Sequence, residues 1–144
     1  MGVVAALVRT AFLVDGVYAE AARVYGLTPQ QGQLLCVLMP QPCGMGELGE
    51  TLGLAKSSLT GLVDRTVRRG LVRREADPRD GRAVRVGLTD EGAVLAGKFH
   101  AETCRRMEAL PSGLSGAERD RLAVLLSRVV VDNAVPEVFG TSPA

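Results

Sequence analysis

Apolar residues recur along this chain with two periods, and the change of period divides it. Over residues 3–25, Leu7, Ala11, Val14, Tyr18, Ala22 and Tyr25 return every three or four positions. Arg9, Asp15, Glu20 and Arg23 fall largely elsewhere, which predicts an amphipathic helix. Gly26 is a fitting end for it. Thr28-Pro29 then opens a second helix, with Thr28 as N-cap and Pro29 in the first turn. It runs through "QQGQLLCVLM" and stops at Pro40. "QPCGMG" reads as a turn-rich connector. Leu48 and Leu52 mark a short third helix that Gly53 breaks.

Residues 55–69 form the next helix, closed by Gly70. Its apolar side carries Leu59, Leu62, Val63 and Thr66. The opposite side carries Ser57, Gly61, Asp64, Arg65 and Arg68, with Lys56 and Thr60 on the flanks. The period then shortens to two. "LVRREA" and "AVRVGL" read as strands joined by "DPRDGR". Pro78 supplies a preset φ to that turn, and Gly81 is expected to supply a positive one. Helical spacing resumes after Thr89, an N-cap followed by Asp90 and Glu91. "PSG" at residues 111–113 separates it from a last helix capped by Ser115, with Leu122, Leu125, Leu126, Val129 and Val130 on a wide apolar face.

A short helix, a tight turn, a small-residue helix and a hairpin make a winged helix-turn-helix. The fold class is therefore mainly α with a small β-hairpin: a winged helix-turn-helix at residues 28–92 and a helical dimerisation region. The latter comprises residues 1–27 and 111–144 with the C-terminal part of the helix at 89–110.

Composition sharpens this. The chain has 144 residues, one ordinary domain, and a net charge of only +1. Residues 56–85 nevertheless hold nine basic and four acidic side chains, a local +5 that leaves −4 elsewhere. A basic patch on a neutral protein points to one anionic partner met at one surface. The apolar N-terminus lacks a positive leader and is interrupted by Arg9, so no signal peptide or membrane span is read there. Cys36, Cys43 and Cys104 are odd in number and widely spaced, no disulfide framework. The expectation is a cytoplasmic protein. Nucleophile–base pairs, phosphate-binding glycine loops and paired carboxylates are missing as recognisable motifs, which argues against an enzyme.

Two stretches, "ELGETLGLAKSSLTGLVDRTVRRGLVRR" and "DPRDGRAVRVGLTDEG", resemble the MarR/SlyA family of transcriptional regulators. The second has the form Asp-x-x-Asp-x-Arg, an apolar strand, then Leu-Thr-x-x-Gly. The resemblance implies a homodimer on a palindromic double-stranded DNA operator, and a repressor released by a small-molecule effector. It places Ser57, Ser58, Thr60 and Arg65 toward DNA and Arg82 in the minor groove. Asp80 would orient Arg82, and Arg73 and Arg74 would lie near phosphates.

The residue chemistry agrees. Short hydroxyls meet phosphates or base edges without holding a helix away, and Gly61 permits close backbone approach. Arg65 suits guanine or a phosphate. Lys56 adds charge on the flank. Arg79 has two readings, a backbone contact or solvent. Arg68 and Arg69 also have two, phosphate clamps or favourable charges at a helix end.

Phe12, Tyr18, Tyr25 and Phe99 are candidates for an effector pocket, with core or dimer interface as the plainer reading. His100 and Cys104, spaced i, i+4, are too few for a tetrahedral metal site, so no metal or cofactor is assigned. Two alternatives stand beside the leading reading. One is a thiol-based redox sensor of the same fold, with Cys43 in its turn as the candidate and Cys36 read as core. The other is a winged-helix protein-interaction module without DNA binding, which the basic helix and wing disfavour.

Overall fold

A computed structural model describes residues 1–135. Its elements are α1 (Val3–Val24), α2 (Pro29–Leu38), β1 (Cys43–Gly44), α3 (Met45–Leu52), α4 (Lys56–Arg68), β2 (Val72–Asp77), β3 (Asp80–Leu88), α5 (Asp90–Ala109) and α6 (Gly116–Asp132). Residues 136–144 of the expected dimerisation region lie outside the described residues. No helix among those described is long and apolar enough to cross a membrane.

The helices begin where the sequence signals them. Thr28 caps α2 in a full capping box: its hydroxyl accepts the Gln31 N–H, and Gln31 Oε1 accepts the Thr28 N–H, both at 3.1 Å. Ser115 and Glu118 do the same for α6. The expected helix at 55–69 is α4, with Ala55 and Arg69 as its caps. Gly53 and Gly70, at φ +65° and +73°, close α3 and α4 in the left-handed region.

Two expectations need correction. The connector "QPCGMG" contains a strand. Cys43 pairs with Val86 and Gly44 with Arg85, so the hairpin is part of a three-stranded antiparallel sheet in the order β1-β3-β2. Two residues, a cysteine and a glycine after a proline, carry no alternation, so periodicity cannot reveal them. The second correction concerns Gly81, which does not have positive φ. The loop is Pro78-Arg79, closed by the Asp77–Asp80 pair. The register then jumps to Ala76–Val84, leaving residues 81–83 as a bulge in β3.

The core lies between the C-terminal half of α1, the helices α2 to α5 and the inner face of the sheet. Leu34, Leu35, Leu48, Leu62, Val63, Val86 and Phe99 are almost fully enclosed. Phe99 fits because α2 presents Gly32: a Cβ there would run into the phenyl ring. On its other side the ring stacks with Tyr18, with centroids 6.3 Å apart. The stripe expected along α1 is covered only at its end, by Val17, Tyr18, Ala21 and Ala22, while Leu7 and Ala11 are open. No residue of α6 is buried.

One junction ties the wing to the helices. Leu71, between α4 and β2, accepts the Thr89 N–H at 3.1 Å, and the Thr89 hydroxyl donates to the Gly70 carbonyl at 2.6 Å. That hydroxyl also accepts the Gly92 N–H at 3.0 Å, capping α5. Gly92 lies so close to Leu71 that a Cβ would overlap its carbonyl oxygen. Gly92→Ala should therefore cost about 2–3 kcal/mol through overpacking against backbone. Gly97→Ala, further along α5 with open space around it, should be neutral or gain up to about 1 kcal/mol. Urea unfolding of both variants checks the pair; equal midpoints would contradict the close approach.

Candidate nucleic-acid interface

The inner side of α4 is fixed by Leu59, Leu62, Val63 and Thr66, all buried. Thr66 satisfies its hydroxyl internally by donating to the Leu62 carbonyl at 2.7 Å. That anchoring leaves Lys56, Ser57, Ser58, Thr60 and Arg65 exposed, as the alternation of faces predicts. Ser57 and Ser58 make no side-chain hydrogen bond among the described residues. The Thr60 hydroxyl instead donates to the Lys56 carbonyl at 2.8 Å, and must rotate before it can donate outward. Gly61 has a local use as well: a Cβ there would stand 3.2 Å from Arg65 Nη1, so the glycine leaves room for the guanidinium along the helix.

Arg68 Nε donates to the Asp64 carbonyl within α4 at 3.4 Å, and the other arginines separate into two groups. Arg74 Nη2 pairs with Asp64 Oδ1 at 2.5 Å, bracing β2 against α4. Arg73 Nη1 donates to the Leu88 carbonyl at 2.7 Å. Arg85 faces Glu75 across the β2–β3 ladder at 3.3 Å, half-buried. Arg69 Nη1 donates to the Gly26 carbonyl at 2.6 Å and to Gln31 Oε1 at 3.3 Å. Arg65, Arg79, Arg82 and Lys56 are exposed, with no ion-pair partner among the described residues. The first group stiffens the unit; the second is free to meet an anion.

Each wing aspartate acts on the backbone. Asp77 Oδ1 accepts the Arg79 N–H at 2.8 Å, and Asp80 Oδ1 accepts the Arg82 N–H at 3.0 Å. These are two successive Asx turns. The resemblance pairs Asp80 with Arg82, and here the contact is to the amide and not to the guanidinium. Orientation of Arg82 therefore comes from a fixed backbone at the bulge.

Between α3, α4 and the sheet lies a groove of about 770 Å³, lined in part by Gly49, Glu50, Leu54, Thr60, Arg74 and Val84. Sequence reasoning missed it because its walls come from three elements with no shared spacing. The four aromatic candidates differ in their surroundings. Phe99 is fully buried against Gly32 and Tyr18, and Tyr25 is half-buried. Phe12, 71% exposed, sits on the uncovered half of α1.

The thiols also differ from expectation. Cys43 belongs to β1 and is 6% exposed, its Sγ donating to the Gln41 carbonyl at 3.5 Å, so it is not a turn cysteine. Burial raises its pKa, and Glu47 adds to the effect. Burial pushes the Cys36 thiol up to about 12, with the nearby Cys104 contributing. Cys104, 3.5 Å from His100 Nε2, is raised by burial and by Glu108. No three of His, Cys, Asp and Glu are grouped to hold a metal among the described residues.

Known proteins are similar to this chain in sequence and in fold. Residues 25–83 match the model of the MarR family. The chain is 32% identical over 108 residues to the uncharacterized HTH-type transcriptional regulator YkoM of Bacillus subtilis (strain 168), covering 74% of this chain and 70% of YkoM. Apo MarR from E. coli superposes with a TM-score of 0.79 at 26% identity, over 90% of this chain and 98% of that one. BpsR of Bordetella bronchiseptica, whose DNA binding is regulated by 6-hydroxynicotinic acid, superposes with a TM-score of 0.74 at 25% identity. That match covers 89% of this chain and 92% of BpsR.

The thiol environments set one expectation. At pH 7.5 fewer than about one Cys36 side chain in ten thousand is thiolate, against roughly one in ten for an ordinary cysteine. Ellman's reagent should label the native protein at least about tenfold more slowly than the urea-unfolded chain. Rapid native labelling of Cys43 or Cys36 would revive the redox alternative.

Proposed function

The chain belongs to the MarR family of winged helix-turn-helix transcriptional regulators, and we propose that it acts as a homodimer on a palindromic DNA operator. In this reading residues 28–92 form the DNA-binding unit. α4 enters the major groove with Ser57, Ser58, Thr60 and Arg65 toward the bases and phosphates, Lys56 beside them and Gly61 allowing close approach. The wing tip brings Arg82 to the minor groove, where negative potential is enhanced over A·T-rich sequence, and Arg79 to the adjacent backbone. Arg73 and Arg74 add positive potential near the phosphates while bracing the wing. The observation that carries this is the sorting of cations: Lys56 and Arg65 on α4 and Arg79 and Arg82 at the wing tip are uncommitted, while Arg68, Arg69, Arg73, Arg74 and Arg85 are tied into the fold.

In this reading the dimer is formed by α1, α6 and the C-terminal part of α5. Support comes from the apolar surface these elements leave open. On α6, Leu122, Leu125, Leu126, Val129 and Val130 are 38–46% exposed, and Leu7, Val8, Phe12 and Leu13 are open on α1. Aligned apolar faces of this size are rare on a monomer, and a second copy offers the matching surface. A small-molecule effector releases the regulator from its operator, and the effect is repression. The regulated DNA binding of BpsR supports the effector step.

Mobility shifts with a duplex selected from a random pool should give a complex weakened by salt, with a slope of about −0.9 per neutralised phosphate. A chain that selects no salt-sensitive complex would overturn the reading. Arg82→Ala should weaken binding about tenfold, the low end for a base-contacting arginine, and leave the melting temperature unchanged. Leu125→Asp combined with Val129→Asp should yield monomers by light scattering and abolish operator binding.

A further inference from the structure

Arg69 stands at the end of α4 away from Lys56, and its guanidinium lies along the protein surface toward the α1–α2 turn. Nη1 donates to the Gly26 carbonyl, just past the end of α1, at 2.6 Å. It also reaches Gln31 Oε1 at 3.3 Å, the same oxygen that accepts the Thr28 N–H to start α2. One guanidinium thus joins the end of α1, the cap of α2 and the end of α4. A link this short to a charged donor is among the stronger hydrogen bonds. The apolar contacts of α4 with α2, α3 and β2 hold it in place but are not directional. The Arg69 bond is.

We propose that Arg69 is a positioning residue for operator recognition: it binds no DNA but fixes the angle of α4 to α1, and so the spacing of the two recognition helices. The inference rests on the dimeric DNA-binding reading above. α1 carries part of the dimer surface in that reading, so its angle to α4 sets where each α4 meets the duplex. α4 has 13 residues, which at 1.5 Å per residue makes it about 20 Å long. A tilt of about 5° at its Arg69 end moves its first turn by about 1.7 Å. Summed over two protomers, that approaches the ~3.4 Å rise of one base pair.

The test compares the parent, Arg69→Met and Arg69→Lys on a palindrome selected by the parent from random duplexes. Matching duplexes have the half-site spacer one base pair longer or shorter. Arg69→Met should lose about tenfold in affinity at the parental spacing and discriminate less between spacers. Its salt slope should stay at the parental value. Arg69→Lys, which keeps one cationic donor near Gly26, should fall between, and serves alone should Arg69→Met not fold. A slope smaller by about 0.9 would make Arg69 a phosphate ligand and overturn the proposal. Unchanged spacer discrimination, with or without weaker binding, would overturn it too. A parent that selects no duplex, or is monomeric by light scattering, would instead overturn the reading on which the proposal rests.

Discussion

The close packing of Gly92 against the Leu71 carbonyl is the contact on which the rest of the unit depends. Three elements change direction there: α4 ends, β2 starts and α5 starts. Thr89 holds them together by giving its N–H to Leu71 and its hydroxyl proton to Gly70, while its oxygen caps α5. None of this closes if α5 stands off by the width of a methyl group. The Leu-Thr-x-x-Gly signature thus has a mechanical meaning: the threonine caps and clasps, and the glycine lets a helix lie on backbone. The wing root and α5 have no independent freedom at this point.

The same economy governs charge. Nine basic residues in a thirty-residue window look interchangeable, yet the fold gives them different work. Asp64 takes Arg74, Glu75 takes Arg85, and backbone carbonyls take Arg73 and Arg69. An exposed pair such as Arg74–Asp64 adds little stability, about 0–1 kcal/mol, so its value lies in geometry. The wing aspartates neutralise no guanidinium. They fasten the amides of Arg79 and Arg82 and leave both side chains outward. A turn rich in both signs therefore keeps its cations available.

Local signals were the legible part of this chain. Thr28, Ser115 and Thr89 announce helix starts because a cap acts within three residues, and Leu59, Leu62, Val63 and Thr66 announce a buried face because a helix repeats. The six helices and both wing strands follow from such rules. β1 does not, since its two residues are strand only through pairing with Val86 and Arg85, some forty positions away. Gly81 misled for a related reason: Asp77 and Asp80 closed a shorter loop and moved the glycine into a bulge. At the candidate interface, exposure of Ser57, Ser58 and Arg65 was readable, but the partners of Arg69 and Arg74 were not. Those bonds join positions 10 to 43 residues apart, with no periodicity between them.

These ties acquire a direction from what is left uncovered. The winged unit is complete within one chain: its core is closed and its sheet is braced. α6 and the first half of α1 are not, for they present leucine, valine and phenylalanine to water. A chain so divided encloses its apolar residues in one part and exposes them in the other, and in the proposed dimer a second copy covers the exposed part. Where the halves meet, the links are stiff: Phe99 between Tyr18 and Gly32, Arg69 on Gly26, Thr89 and Gly92 on the Gly70-Leu71 corner. In the proposed dimer, these joints couple a displacement of α1 or α5 at the subunit interface to the winged unit. Through them it reaches α4 and the wing, which is what the proposed effector step requires to change DNA affinity from a distance.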